Sequence, residues 1–581
     1  MKILIPFFFS IIINIANLYA QTVQIEEPQI ISPSFSVYVA TNGNDSNTGD
    51  SLSPVATFSA ALNKLDQLTG NTNGNVYTEI VVFPGTYTEV FRQALNKYQI
   101  GNKLMNVSLR GKGNVLLDGT GITVNVGGGM IYLLGSNIYV KNIAVKQSTE
   151  NGVRFGYNFS GTIINPHDIL IDSVEVSETA GHGILLGIGA LNANGSSILI
   201  PRAKRFKVTN CHVHDAVNYN TAQSQWGSSI KFWNASQIQA LNNHVHDNSG
   251  EGINFDFCDT AEVRENLLHD NYANIYLDKM EYAHVHRNFI YNVSKNVSGI
   301  LTGLEAFTAF VTNHYMKDIY IENNIILNTR GINLWQGIYS AIQNGIYSNI
   351  QIRQNTIIGK QFGNGAQVSI SHDVFLGQPI PNFSISNISI DRNIISANAD
   401  SLNNNKLLSA PLNPQPGLTS AYNLYNINPG FAYNATSDQI NASLPVSMDP
   451  ALALFELSPN SNYNPALIMS VPNSSGILYD YFGMLRNSAN TNAGAIELNP
   501  TLYNNEEKLN DFNIYPNPCD EEFVLKVSDD YLGKEYFIFD ALGKMIQSGA
   551  INSNISLIRT ANEKGLYLIF INNQCFKFIR N

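Results

Sequence analysis

One short phrase, an Asn followed by β-forming residues, recurs through the middle of the chain and dictates its architecture. HVHD at His212–Asp215 returns at His244–Asp247. ENLLHDN (Glu265–Asn271), RNFIYN (Arg287–Asn292), NNIILN (Asn323–Asn328), QNTIIG (Gln354–Gly359) and RNIIS (Arg392–Ser396) follow. The step from Asn243 to Asn266 is 23 residues and from Asn266 to Asn288 it is 22; later steps are longer, as inserted loops require. A period in this range marks a solenoid, in which each repeat buries its apolar face only against its neighbours. Short β-rich runs alternate with Gly or Asn corners, and no helical period intervenes. One repeat therefore makes one turn of a parallel β-helix. Asn243, Asn266, Asn288, Asn324, Asn355 and Asn393 would stack at one corner, taking unusual backbone angles and bonding the coil above through their amides.

The length fits this reading, because 581 residues exceed one ordinary core unless the fold grows by repetition. Charged residues make up 14 %, and the net charge is −11. That balance excludes nucleic acid, which needs a positive surface. It leaves room for a polyanionic substrate met by a local basic patch or a bound cation. The four cysteines are too sparse for a disulfide-stapled fold. Cys519 and Cys575 are close enough in the chain to pair, but spacing does not decide it.

Both ends read as addresses. Residues 1–20 carry Lys2, an apolar run and a small residue, Ala20, before Gln21, the pattern of a cleaved secretory signal. Asn14 and Asn17 interrupt the run, which is short for a membrane span. No later segment reads as transmembrane. At the other end stand NIYPNPCDEEFVL (Asn513–Leu525), the D-x-x-G-K turn at Asp540–Lys544, G-x-Y at Gly565–Tyr567 and a basic last strand. These alternate as a small antiparallel β-sandwich. They resemble the type IX secretion C-terminal sorting domain. The resemblance implies passage through the outer membrane by the type IX secretion machinery, removal of the domain, and an extracellular or cell-surface location.

The start of the middle region also has a recognisable order. VYVATNGNDSNTGD (Val37–Asp50) precedes SPVATFSAALNKL (Ser53–Leu65) and EIVVFPGTYTE (Glu79–Glu89). That gives a strand, a loop, a capped amphipathic helix closing the open end of the solenoid, and a strand. These phrases resemble the opening of secreted pectate-lyase-like proteins, and NAGAIELNP (Asn492–Pro500) resembles their closing strand. The resemblance implies an all-β right-handed parallel β-helix with an N-terminal capping helix; fold alone does not set activity. The expected divisions are a signal peptide (1–20), a linker (21–35), the β-helix (36–500), a linker (501–509) and the sorting domain (510–581).

Candidate chemistry follows from strand alternation. Aligning SSIKFWN, EGINFDF and NIYLDKM by their apolar positions turns Ile230/Phe232, Ile253/Phe255 and Ile275/Leu277 inward. Lys231/Trp233, Asn254/Asp256 and Tyr276/Asp278 then face outward, with Asn333/Trp335 further along. Asp256 and Asp278 become neighbours on adjacent coils, about 4.8 Å apart, with Glu251 at a strand entrance and Lys231 one coil away. Two such carboxylates repel unless a cation or shared proton relieves them.

One reading is a lyase acting by β-elimination on a uronate-containing polysaccharide. Asp256, Asp278 and Glu251 would hold Ca²⁺, and Lys231, Lys279 or Arg287 would remove the proton. A second is a glycoside hydrolase whose paired carboxylates serve as acid and as base or nucleophile. Trp233 and Trp335 would stack on sugar rings in either case, with Asn254, Tyr276, His182 and Arg287 also contacting substrate. A third is a non-catalytic adhesin or glycan-binding protein in which the Asp pair is a solvated ladder. The long coils between His212 and His244 and between Asn288 and Asn324 would supply cleft walls. The histidine columns His212/His244 and His214/His246/His269 suit a hydrogen-bonded ladder or a metal. The mature protein is expected to be a monomer.

Overall fold

The structure is a computed structural model. It describes residues 25–425 except 71, 93–98, 101–102, positions between 156 and 165, 188–201, 218–226, 305–312, 337–343, 360–365, positions between 373 and 382, 397–406 and 411–414. From 426 to 580 it describes scattered turns, short two- and three-residue strands up to Asn490–Thr491, and the terminal strands named below. The signal segment, the 218–226 and 305–312 parts of the long coils, the Gly543–Lys544 turn and Cys519 lie outside the described residues.

Two long parallel sheets wind around one apolar core. A representative coil runs from Glu251–Asp256 in the smaller sheet, through Asp259–Arg264 and Leu267–His269 in the larger one, to the next rung at Ile275–Asp278. The smaller sheet stacks rungs in chain order from Phe91–Arg92 to Leu408–Ser409, each parallel to the last. Every rung sends alternate residues inward, so Ile230, Phe232, Ile253, Phe255, Ile275 and Leu277 are fully buried. Phe232 and Phe255 stack with centroids 5.1 Å apart.

Corners are made by residues in the left-handed region, stacked in columns. Asn234, Phe257 and Lys279 form one column, with φ between 49° and 55°. Asp215, Asp247 and Asp270 form another, with φ between 49° and 53°. Few L-residues adopt this region, and Asn and Asp do so most readily.

The Asn ladder departs from expectation in one respect. The residue with positive φ is the one before each ladder Asn, such as Asn242, Glu265, Arg287, Asn323, Gln354 and Arg392. The ladder side chains are instead fully buried. Asn243 donates through its backbone N–H and Nδ2 to Asn266 Oδ1, at 2.9 and 3.0 Å. The pattern repeats through Asn288, Asn324, Asn355, Asn393 and Asn423, and ends on Asp438 Oδ1. Burial demands that each amide be satisfied, and the coil-to-coil repeat supplies the partner.

Helix Phe58–Thr69 begins where Thr57 caps it, accepting from the Ala60 N–H at 3.1 Å. Its buried face, Phe58, Ala61, Leu62 and Leu65, joins the solenoid core. Phe58 packs edge-on to Phe91 with centroids 5.3 Å apart. Near the far end, only Ala493–Ala495 of the proposed closing strand are described. They form bends, not a strand, and Gly494 donates to the Arg392 carbonyl.

A second compact unit takes in 464–473, 477–492 and 496–581. Its last part holds two antiparallel sheets. One comprises Phe512–Tyr515, Glu522–Val527 and Ile555–Arg559; the other comprises Glu535–Asp540, Met545–Ala550, Gly565–Ile571 and Gln574–Arg580. Phe523, Leu525, Ile538, Ile569 and Phe578 form their own core.

Candidate active site

The outward residues of the smaller sheet fall into two rows. One row runs Gly187, Trp233, Asp256, Asp278, Gly303, Trp335, each in register with the next. The other runs Arg92, Tyr132, Arg154, Leu185, Lys231, Asn254, Tyr276, Leu301, Asn333. The anticipated register is therefore present, and Asp256 pairs with Asp278. Two Trp bracket the two Asp over four rungs, about 19 Å at the usual strand spacing. Between them Gly303 leaves room for Tyr276, whose hydroxyl would lie 2.3 Å from any Cβ placed there.

Two lysines neutralise the carboxylates. Lys279 follows Asp278 at the corner, and its left-handed backbone folds the side chain back over the pair. Its Nζ lies 2.7 Å from Asp278 Oδ2 and 3.7 Å from Asp256 Oδ1, with the Phe257 ring centroid 3.9 Å away. Lys231 Nζ stands 3.5 Å from Asp256 Oδ2 and 5.3 Å from the Trp233 ring centroid. Asp278 and Lys279 are almost fully covered, whereas Lys231 and Asp256 keep 13 % and 16 % of their side-chain surface.

Glu251 opens the strand that Asp256 closes, in register with Ser228. Its carboxylate accepts from Ser228 Oγ at 2.7 Å, and Ser228 donates its backbone N–H to His182 Nδ1 at 2.9 Å. Burial raises the Glu251 pKa. Burial, with Lys231 nearby, pushes His182 down to about 3. His182 is thus a neutral imidazole holding a rung together. Arg287 is not in the site: it turns a corner of the larger sheet, where it pairs with Glu265 at 2.5 Å. It precedes ladder residue Asn288, and the corner carries its side chain to a different face.

These donors do not fit Ca²⁺. The ion needs six to eight oxygens at 2.3–2.6 Å, but an ammonium already lies against both Asp carboxylates and Glu251 is committed to Ser228. Just beneath the face lie buried polar atoms without hydrogen-bond partners. Trp233 Nε1, Asn254 Oδ1 and Asp256 Oδ1 have no hydrogen-bond partner among the described residues. Sequence reading missed the reach of Lys279 across both carboxylates and the part played by Ser228. The apolar alternation could reveal neither, because both depend on strand ends.

Residues 167–303 match the family model for the right handed beta helix region, and residues 513–580 match that for the secretion system C-terminal sorting domain. The chain folds as a right-handed parallel β-helix, and its terminal segment matches a sorting-domain model. Among curated proteins, none matches its sequence. The β-helix protein is similar to the solved structure of XylC with xylose, at 11% identity and TM-score 0.44, covering 80% of this chain and 98% of that one. It is also similar to a hyperthermoactive exopolygalacturonase from Thermotoga maritima (10% identity, TM-score 0.41, 72% and 96% covered). A rhamnogalacturonan lyase is similar at 12% identity and TM-score 0.31, with 70% and 87% covered. No helix among the described residues of the β-helix protein is long and apolar enough to cross a membrane.

Proposed function

We propose that the β-helix protein is an exported enzyme acting on uronate-containing polysaccharide, by β-elimination rather than hydrolysis. The observation that carries this reading is the contact of Lys231 with Asp256, both of which keep part of their side-chain surface, on an outward face bracketed by Trp233 and Trp335. Arg92, Arg154 and Lys231 follow one another at two-rung intervals, about 10 Å, a spacing that gives a polyanionic chain cations to lie along. Lys231 pairs with the sugar carboxylate and so acidifies the adjacent C–H. Asp256, through the part of its carboxylate that stays exposed beside Lys231, takes that proton; the C–O bond to the glycosidic oxygen breaks as the C=C bond forms at the new non-reducing end, and the protonated Asp256 returns the proton to the departing oxygen. No step uses a metal ion. The adjacency of Asp256 and Asp278 favours a retaining glycoside hydrolase as the second reading. The signal segment and the sorting tail would carry the protein through both membranes to the cell surface or medium.

The test is a polysaccharide screen with the full chain, following ultraviolet absorbance of the unsaturated product and reducing ends in parallel. Absorbance should rise on a uronate glycan, persist in EGTA, and fall by a factor of roughly 10²–10⁴ in Asp256→Asn and Lys231→Ala. Reducing ends without absorbance would move the assignment to hydrolysis. Silence in both channels would leave a glycan-binding or adhesive protein.

A further inference from the structure

On the larger sheet, away from the Asp pair, five imidazoles form two columns. His212 and His244 stack with centroids 4.8 Å apart. His214, His246 and His269 form the second column, with 5.3 and 4.6 Å between successive rings. The columns meet diagonally through Nε2: His212 lies 2.8 Å from His246, and His244 lies 3.2 Å from His269.

Each ring of the second column turns Nδ1 toward the Asp that follows it. The distances are 2.8 Å for His214–Asp215, 2.7 Å for His246–Asp247 and 3.3 Å for His269–Asp270. The left-handed corner at each Asp places the carboxylate beside its own ring. A carboxylate only accepts, so in His246 and His269 Nδ1 carries the hydrogen and Nε2 presents a lone pair to the opposite column, whereas His214 turns Nε2 to Glu175 Oε1 at 3.4 Å. A carboxylate behind an imidazole is how proteins fix and strengthen a metal-ligating histidine.

We propose that His212, His244 and His246 bind one divalent transition-metal ion of the zinc class. One ring nitrogen from each lies within 4.8 Å of the others. With metal–nitrogen distances of about 2.0–2.1 Å, two tetrahedral imidazole nitrogens stand about 3.3 Å apart. The 2.8 Å contact between His212 and His246 is within about half an ångström of that, and the His244 nitrogen, within 4.8 Å of both, would come in by rotation of its half-buried ring. All-imidazole donors select zinc, copper or nickel over calcium. Asp215, Asp247 and Glu175 surround the columns with negative charge. The ion would clip the His212–His214 rung to the His244–His246 rung.

The probe is Co²⁺ titrated into the full chain after metal has been stripped by chelator and dialysis. One equivalent should bind with a visible d–d band, Zn²⁺ should displace it, and Zn²⁺ should raise the melting temperature. His212→Ala and His246→Ala should each weaken binding at least ten-fold, and Asp247→Asn by roughly 10–100-fold through its effect on His246. Asp256→Asn and His286→Ala should leave the band unchanged. Circular dichroism checks that each variant is folded, and Asp247→Asn decides the matter if a His variant is not. A native chain that develops no band at millimolar Co²⁺ overturns the proposal and leaves a purely hydrogen-bonded ladder. So does a band that survives in folded His212→Ala and His246→Ala.

Discussion

At Lys279 a single side chain decides whether two carboxylates can share a face. Its ammonium touches Asp278 and reaches Asp256, and both Lys279 and Asp278 are almost wholly covered. Removing one partner of a buried ion pair costs about 3–5 kcal/mol, because the other charge is stranded. Lys279→Met should therefore lower stability by about that much in urea unfolding, and adding Asp278→Asn should recover most of it. A loss that the second change does not relieve would mean that packing on Phe257, not charge, is what Lys279 supplies.

A second residue-scale effect concerns pH. Burial, with His284 beside it, pushes His286 down to about 3, so it is neutral while donating to Glu262 at 3.3 Å. Above the ordinary His value of about 6.5, folded and unfolded imidazoles are both neutral. Below it, the unfolded chain takes up protons that buried His286 and His182 refuse, until about pH 3. Stability is thus full above about pH 6.5 and declines as pH falls toward 3. Urea midpoints measured from pH 7 to 4 should fall, and the slope should be shallower in His286→Gln. Identical slopes would mean that His286 does not contribute.

At the scale of the element, legibility follows periodicity. The alternation of Ile230, Phe232, Ile253 and Phe255 was enough to place Asp256 beside Asp278, because a one-residue slip would turn every apolar side chain outward. The 22- and 23-residue steps likewise marked the Asn ladder. Corners were less legible. Local preference for the left-handed region pointed to the ladder Asn, yet Glu265, Arg287 and Gln354 adopt it, since the coil-to-coil hydrogen bonds determine which residue must turn. The same turning carried Arg287 away from the site and brought Lys279 into it. The diagonal meeting of the His columns depends on side-chain rotation, which no spacing encodes. Asn288→Ala leaves buried groups of two neighbouring rungs without partners, including the Asn266 N–H and the Val263 carbonyl. It should cost about 1–3 kcal/mol per stranded group, read from the shift in urea midpoint. A change of less than about half a kilocalorie would mean that water replaces the amide.

For the whole molecule, the chain divides its labour between a solenoid with a candidate site and a terminal sandwich matched to a sorting domain. Deleting 510–581 should therefore block export while leaving glycan turnover by the purified remainder intact, provided circular dichroism shows that remainder to be folded. Immunodetection in cell and medium fractions, with the activity assay beside it, checks both halves. Equal export of the truncated chain would detach the tail from sorting.

The Asn ladder has one more consequence. Along the ladder every amide donates to the next Asn on the C-terminal side and accepts from the N-terminal side, its other Nδ2 contact going back to a main-chain carbonyl, so the side-chain dipoles lie head to tail along the axis. Hydrogen bonds in such a series polarise one another. The series ends at Asp438, whose carboxylate sits at the positive end and receives both donors of Asn423. The solenoid thus has an electrical direction. Any coil that offers one donor and one acceptor at this corner can be inserted or excised without reversing it, whereas the terminal carboxylate has a fixed place.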